Sequence, residues 1–191
     1  PAIPQWAIRQ TLLLTLGVYI LACGAKAICD GVYFDGGTLF EKRYSIQNER
    51  GRHIYTSRER AQILNDLLIG IKPYIKQGDH LFAYGSIPAI NYMTRTKPFI
   101  GCSWPGLLGE PLFRNKLNNY SGPLPAILRQ KFNSIGKEFG EPSENYLIDC
   151  GIETGPFRSN KKHRVINEFI EKNKYKTVFE NQYFVLYLPE K

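Results

Sequence analysis

Cysteine and histidine are scarce in this chain, and their scarcity excludes several classes of protein. Four cysteines and three histidines occur among 191 residues, and four cysteines are too few for a disulfide-stapled scaffold. No CxxC pair is present, so we expect no metal and no cofactor. The glycine-rich patterns GxGxxG and Walker A, which bind nucleotides, and the GxSxG pattern of hydrolases are also missing. The sequence therefore contains none of these catalytic or cofactor-binding motifs from which a function could be predicted.

The charge of the chain is strongly positive. It has 25 Lys and Arg against 17 Asp and Glu, a formal net charge of +8, which favours anionic partners such as lipid headgroups, phosphates or nucleic acid. The cations are scattered, apart from short clusters at residues 42–43 and 161–164, and no zinc-finger spacing or aromatic RNA-binding signature accompanies them. We therefore predict no specific binding of nucleic acid.

Residues 11–28 form the longest apolar run, TLLLTLGVYILACGAKAI, in which Lys26 is the only charge. As a helix the run would be about 27 Å long, close to the ~30 Å thickness of bilayer hydrocarbon. Trp6 and Tyr33 could lie at the two interfaces, and Lys26 could extend its ammonium to the headgroups. We predict a membrane-associated apolar helix over residues 1–29, which spans the bilayer.

Two other interpretations of this run remain open. It could be a cleaved signal, with Arg9 as its charged end, and residues 20–23 (ILAC) resemble the lipobox at which a lipoprotein is cut and acylated. It could also be the core helix of a soluble domain. Because the chain begins with Pro1 rather than Met, we expect it to be a piece of a longer polypeptide, which argues against a signal peptide that starts here.

The remaining residues predict a linker or cap, residues 30–55, and an α/β domain, residues 56–191. Thr56 and Glu59 form a capping box, and apolar spacings of three and four residues then predict a helix that ends near Pro73. The predicted core face of this helix consists of Ala61, Leu64, Leu68, Ile71 and Ile75.

Short apolar runs predict strands at 80–84, 98–102 and 146–150, alternating with helices. Helices are predicted from Ser86 to about Met93, from Pro123 through Phe132, and after residues 159–160; the last buries Val165, Ile166, Phe169 and Ile170. Residues 103–119 predict a long loop, and residues 175–180 with 183–188 a hairpin. The expected fold is α/β, a mostly parallel sheet with flanking helices and a C-terminal antiparallel hairpin, preceded by the apolar helix.

The carboxyl ends of the parallel strands are where we expect a ligand cleft. The candidate binding residues are Tyr84, Gly85, Ser86, Trp104, Cys150 and Gly151. A helix that starts at Ser86 would present free amides to an anion, and Trp104 could stack on a sugar or a lipid. The competing interpretation is that Ser86 lies in an ordinary strand-to-helix turn that binds nothing, and that Trp104 only packs within its own loop.

The cysteines of the domain leave two possibilities open. Cys102 and Cys150 each follow a predicted strand, and they could form a disulfide outside the cytoplasm or remain buried thiols. A thiol–imidazole pair with His80 or His163 would depend on geometry that spacing does not show. We identify no catalytic residue in the chain.

Several segments in order carry a family resemblance: the apolar helix, residues 51–56 (GRHIYT), residues 81–93 (LFAYGSIPAINYM) and the paired segments 175–178 and 184–187. Together they resemble the C-terminal soluble portion of multi-spanning glycosyltransferases of the GT-C type, such as the protein-mannosyltransferase-like and lipid A aminoarabinose-transferase-like enzymes. The resemblance covers residues 10–190 and consists of hydrophobic patterns rather than catalytic motifs.

The resemblance implies a function at the membrane. Such transferases use polyprenyl-phosphate-linked sugars as donors and carry their catalytic carboxylate in an early extracytoplasmic loop, which has no counterpart in this chain. The chain would be a non-catalytic domain on the extracytoplasmic, periplasmic side. Its partners would be membrane lipid, the remainder of a multi-spanning protein and a glycan or lipid-phosphate ligand. The alternative is a non-enzymatic, membrane-anchored or lipoprotein-like ligand-binding module.

Overall fold

The first element of the fold is a helix that packs on almost nothing. The fold comes from a computed structural model that describes residues 4–30, 38–132 and 161–190. Helix α1, Gln5–Asp30, contains a window of mean hydropathy 2.0 with none of it buried. Its length and composition are sufficient to cross a membrane. The interpretation as a core helix of a soluble domain is not supported, because such a helix would be mostly buried.

A small folded cap, residues 38–56, follows α1. It begins with a 3₁₀ helix, Leu39–Glu41, that contacts α1. Strands β1, Tyr44–Ser45, and β2, Tyr55–Thr56, then pair antiparallel. Ile46 is 1% exposed and packs with Ala61 and Met93 of the main domain. Within the segment predicted as a linker or cap, residues 38–55 therefore have structure of their own and are attached to the domain.

Helix α2, Arg58–Ile71, begins one residue later than the predicted capping box implies. Ser57 is its N-cap, and the Ser57 hydroxyl accepts a hydrogen bond from the backbone N–H of Arg60 at 3.3 Å, as N-cap hydroxyls do. The helix ends two residues before Pro73. This end was predicted, because proline disrupts a helix interior.

The buried face of α2 differs from the predicted one. The residues it buries are Ala61, Ile63, Leu67 and Ile71. Leu64 and Leu68 are only partly buried, because they lie at the edge of the face, where the helix meets the small core under the cap. Leu64 and Leu68, which the predicted core face included, are thus less buried than Ile63 and Leu67, since regular spacing alone does not say which of two adjacent apolar residues faces a sheet.

The main sheet has five strands. They are β3, His80–Tyr84; β4, Lys97–Pro98; β5, Ala126–Gln130; β6, Tyr175–Glu180; and β7, Phe184–Pro189. The order is β4-β3-β5-β7-β6, in which β3 is parallel to β4 and β5, while β7 is antiparallel to β5 and β6. The sheet is thus mixed, and the expectation of a mostly parallel sheet was wrong. The predicted C-terminal antiparallel pair forms, and its second strand joins the sheet beside β5.

Strand β5 occupies the stretch predicted as a helix. All five of its residues are buried, and both of its edges are paired, with β3 on one side and β7 on the other. Pairing with a strand on each side gives the backbone of this short segment hydrogen-bond partners, which outweighs local helix propensity. The prediction treated Pro123 and Pro125 as helix starts, whereas they lead into a strand.

Two neighbouring predictions also need correction. Strand β4 covers only Lys97–Pro98 and passes into a 3₁₀ helix, Phe99–Gly101, because Pro98 has no N–H for the ladder. Residues 103–119 are not one loop, since they contain a 3₁₀ helix, Pro105–Leu107, and helix α4, Glu110–Asn118. The predicted strand 146–150 lies outside the described residues.

Helices cover both faces of the sheet. Helix α3, Ile90–Thr94, and α2 contribute to the core on one face, which includes Leu81 and Ala83. Helices α4 and α5, Lys161–Lys172, pack on the other, which includes Phe82 and Tyr84. In α5, Val165, Ile166 and Phe169 are buried as predicted, and Ile170 packs at their edge.

Candidate functional site

The turn after β3 is closed by a buried glutamine from β5. Gly85 has φ +136°, and a Cβ there would lie 2.6 Å from Cβ of Gln130, so the position accepts only glycine. The backbone N–H of Ser86 donates a hydrogen bond of 2.8 Å to Oε1 of Gln130, and Nε2 of Gln130 donates to the carbonyl of Phe132. Three predicted site residues, Tyr84, Gly85 and Ser86, are therefore positioned by the next parallel strand.

The structure changes the predicted way in which this turn would bind an anion. Helix α3 begins at Ile90 rather than at Ser86 and has only five residues. The N–H of Ser86 bonds to a side chain instead of pointing from a helix terminus. The turn itself thus lacks the helix N-terminus on which the anion hypothesis depended.

A buried polar cluster lies beside the turn, on the face of the sheet covered by α5. Arg129 of β5 is 6% exposed and His163 of α5 is 2% exposed. One guanidinium nitrogen of Arg129, Nη1, donates to Oδ1 of Asn167 at 2.8 Å, and the other, Nη2, lies 2.7 Å from Nδ1 of His163. The imidazole of His163 contacts the ring of Tyr84 edge-on, with centroids 5.2 Å apart. The cluster joins the predicted residue Tyr84 to three residues that were not predicted as ligand-binding.

The chemistry of the pair Arg129–His163 sets the form of the histidine. A guanidinium has only donors, so Nδ1 of His163 must accept, and the ring proton then resides on Nε2. In catalytic triads Nδ1–H donates to a carboxylate, which orients the ring as a general base. The contact between Nδ1 of His163 and Arg129 is therefore the reverse of the one that orients a triad histidine.

The loop that carries Trp104 is tied to the same helix. Nζ of Lys162 donates a 2.6 Å hydrogen bond to the carbonyl of Gly106, two residues after Trp104. Because Lys162 precedes His163, the first turn of α5 connects this loop to the buried cluster. Trp104 is partly buried, and Cys102 is a partly buried free thiol. Cys150 and Gly151 lie outside the described residues, so their predicted place at the strand ends stays a prediction.

A separate groove of 480 Å³ lies at the end of α4. Its lining residues are Ile100, Asn115, Lys116, Asn119, Tyr120, Ser121 and Gly122. Ile100 has φ +55°, a conformation that is unusual for a β-branched residue, and its carbonyl accepts a hydrogen bond of 3.2 Å from Nζ of Lys116. The four predicted binding residues that the structure describes, Tyr84, Gly85, Ser86 and Trp104, do not line this groove.

Tyr175, the first residue of β6, has a strongly shifted pKa. Burial raises the pKa of the Tyr175 hydroxyl well above its ordinary value, and the neighbouring Tyr120 raises it further. The hydroxyl donates a 2.9 Å hydrogen bond to the carbonyl of Pro125. Tyr175 therefore stays protonated and connects β6 to the segment before β5 as a structural contact.

Metal ligands do not cluster in residues 4–30, 38–132 and 161–190: within these ranges no group of three or more His, Cys, Asp or Glu is placed to hold an ion. Comparison with known proteins adds no family, since no family model, no curated protein and no solved structure matches the chain. The features of the molecule that point to a function are therefore the apolar helix α1 and the polar residues at the strand ends.

The partnership of Arg129, His163 and Asn167 was not predicted from the sequence. The reason is that Arg129 was assigned to a helix, where it would be one more scattered cation. A signal was present in the sequence, since residues 126–128 (AIL) are a short apolar run after two prolines, a pattern typical of a buried strand. A charged residue inside such a strand indicates a buried polar contact.

Proposed function

We propose that this chain is the extracytoplasmic domain of a membrane glycosyltransferase that uses a polyprenyl-phosphate-linked sugar and carries its catalytic carboxylate elsewhere in the polypeptide. The observation that carries the proposal is α1, whose window of mean hydropathy 2.0 is entirely exposed. A helix that is apolar on all sides needs a hydrocarbon environment, because in water its side chains would remain hydrated at high cost. Membrane lipid is thus its first proposed partner.

The position of the polar cluster supports a ligand at the strand ends. Arg129 is the register partner of Tyr84 and precedes Gln130, which holds the turn at Gly85 and Ser86, and a guanidinium at these strand ends would favour a phosphate or another anionic group. Trp104 lies in the loop connected to the same helix, and an aromatic ring offers a face for a sugar. A glycan or a lipid phosphate is therefore the ligand that these residues would suit.

The domain is proposed to be non-catalytic. Glycosyl transfer needs a positioned base or metal-bound carboxylates. In the part of the chain that the structure describes, His163 bonds to a cation rather than to a carboxylate, and acidic side chains form no ion-binding group. The domain would instead cover the membrane-embedded remainder of the protein and help to shape the side on which the acceptor binds.

The test uses the whole chain in lipid nanodiscs, with polyprenyl-phosphate-linked mannose that bears a photoreactive group. We expect no sugar transfer, together with crosslinks near residues 84–86 and 104. Trp104→Ala should reduce crosslinking, whereas Tyr74→Ala, a matched change of an exposed aromatic residue, should not. Transfer by this chain alone, or crosslinking that Trp104→Ala leaves unchanged, contradicts the proposal.

A second candidate, a lipoprotein-like binding module, is favoured by one observation. Cys23, the last residue of the lipobox-like stretch, is exposed on α1, as an acylated cysteine must be. Mass spectrometry of the protein purified from its native membrane separates the two candidates. An acylated N-terminal Cys23 supports the lipoprotein, whereas an intact α1 continuous with further apolar spans supports the transferase.

A further inference from the structure

Exposed apolar side chains are concentrated in the cap. Eleven large apolar side chains are exposed in residues 38–132 and 161–190, and five of them belong to the cap, although it is less than a fifth of those residues. The five are Leu39, Phe40, Tyr44, Ile54 and Tyr55. Phe40 is 65% exposed and Tyr55 is 56% exposed. Such a concentration on one small element indicates a surface that meets an apolar or amphipathic partner.

The cap is attached to the domain by residues other than these five. The backbone N–H of Gln47 donates to Oδ1 of Asn65 at 2.7 Å, and Nδ2 of Asn48 donates to the carbonyl of Met93 at 3.2 Å. Ile46 fills the small core beneath. Because these contacts already hold the cap in place, its exposed aromatic residues are not needed for the internal packing of the domain.

The charge of the cap suits an anionic surface. It contains four Lys and Arg against two Glu, and one of the two, Glu49, pairs with Arg95 of the main domain. Arg43 and Arg52 are exposed, the first beside Tyr44 and the second close in sequence to Tyr55. Exposed arginines next to exposed tyrosines combine the two groups that interact with lipid headgroups: cations with phosphates, and aromatic rings with the interface.

The cap also lies next to α1. Its first element, Leu39–Glu41, contacts that helix directly, so a bilayer that contains α1 would have its surface close to the cap. We infer that the cap is a membrane-interface surface, in which Phe40, Tyr44 and Tyr55 lie at the headgroup level of the bilayer. Arg43 and Arg52 contact the phosphates of anionic lipids. This inference rests on the membrane placement of α1 in the proposed function.

The test places a single tryptophan at chosen positions of the whole chain, reconstituted in nanodiscs whose lipids are brominated in the acyl chains. The background carries Trp6→Phe and Trp104→Phe. Tyr55→Trp, or Phe40→Trp as a second position, reports on the cap. Leu16→Trp reports on the middle of α1, and Leu107→Trp, at a position 71% exposed in the loop tied to α5, is the matched control.

We expect quenching by bromine for Leu16→Trp and for Tyr55→Trp or Phe40→Trp, and none for Leu107→Trp. Adding phosphatidylglycerol to phosphatidylcholine should increase quenching in the cap. Arg43→Gln or Arg52→Gln should each lower the ratio of membrane-bound to unbound cap about fivefold. Each surface cation contributes about 1 kcal/mol to binding an anionic bilayer, which corresponds to that factor. Lys176→Gln, an exposed cation on β6, should leave that ratio unchanged.

The possible failures are distinguishable. Quenching of Leu16→Trp alone, with Tyr55→Trp and Phe40→Trp no more quenched than Leu107→Trp, overturns the inference and leaves α1 in the membrane. Protection of the cap tryptophans from aqueous acrylamide without bromine quenching means that protein covers the cap, which also overturns it. If Leu16→Trp is not quenched, the membrane part of the proposed function fails and this inference fails with it.

Discussion

Replacing Leu67 by alanine should destabilise the domain by about 2–5 kcal/mol, the usual cost when a buried leucine is truncated. Leu67 is 0% exposed and packs in the core between α2 and the sheet, among residues such as Ile63, Ile71, Leu81 and Leu128. Leucine and alanine both favour helix, so the loss would report the cavity and the lost apolar contacts rather than a weaker helix.

The next two residues of α2 serve as internal controls. Leu68 is only partly buried, so Leu68→Ala should cost less than Leu67→Ala. Ile69 is 67% exposed, and Ile69→Ala should change the free energy of unfolding by no more than about 0.5 kcal/mol. The three changes occur in one helix turn, so differences among them isolate burial.

The measurement is urea unfolding of the whole chain in nanodiscs, followed by the fluorescence of Trp104 in a Trp6→Phe background. Midpoints can be compared directly if the dependence on urea is the same for each variant. A larger loss for Leu68→Ala than for Leu67→Ala would refute the packing of α2 and restore the face predicted from spacing. A loss below about 0.5 kcal/mol for Leu67→Ala would show that this leucine lies outside the core.

Two further changes probe the strand ends by the same unfolding assay. Gly78→Ala, at φ +89° with nothing within 4 Å of the new Cβ, should cost only the backbone strain, about 1–3 kcal/mol. Gly85→Ala should cost more, because its Cβ also meets Gln130. Equal losses in the two variants would mean that the turn has room for a Cβ. His163→Leu removes an acceptor that Nη2 of Arg129 uses and should cost about 1–3 kcal/mol. His163→Asn, whose side-chain oxygen can accept, should recover part of that loss, and equal losses in the two variants would count against the hydrogen bond.

The candidate site was only partly predictable from the sequence. Tyr84, Gly85 and Ser86 were identified because they lie at the carboxyl end of a predicted strand, and strand β3 is confirmed there. The polar side chains at this end of the sheet come from Gln130, 44 residues after Ser86, and from α5, about 80 residues after the turn. Contacts between residues so far apart leave no periodic signal in a single sequence, so Arg129 and His163 could be brought together only by the tertiary structure.

The sequence by itself determined the elements whose pattern is local. A long apolar run with one charge predicted α1, spacings of three and four predicted α2 and α5, and two polar-bounded runs predicted the pair β6 and β7. Each of these follows from the side chains of one segment, because helix and strand periodicities are set by the backbone itself.

Tertiary structure alone decided the elements whose local signal was weak or misleading. Residues 126–130 became the central strand because β3 and β7 satisfy their backbone on both sides, and this made the sheet mixed rather than mostly parallel. Tertiary packing also decided that Leu67 rather than the adjacent Leu68 faces the core. Burial and long-range pairing depend on what surrounds a segment, and they can outweigh the small free-energy differences of local propensity.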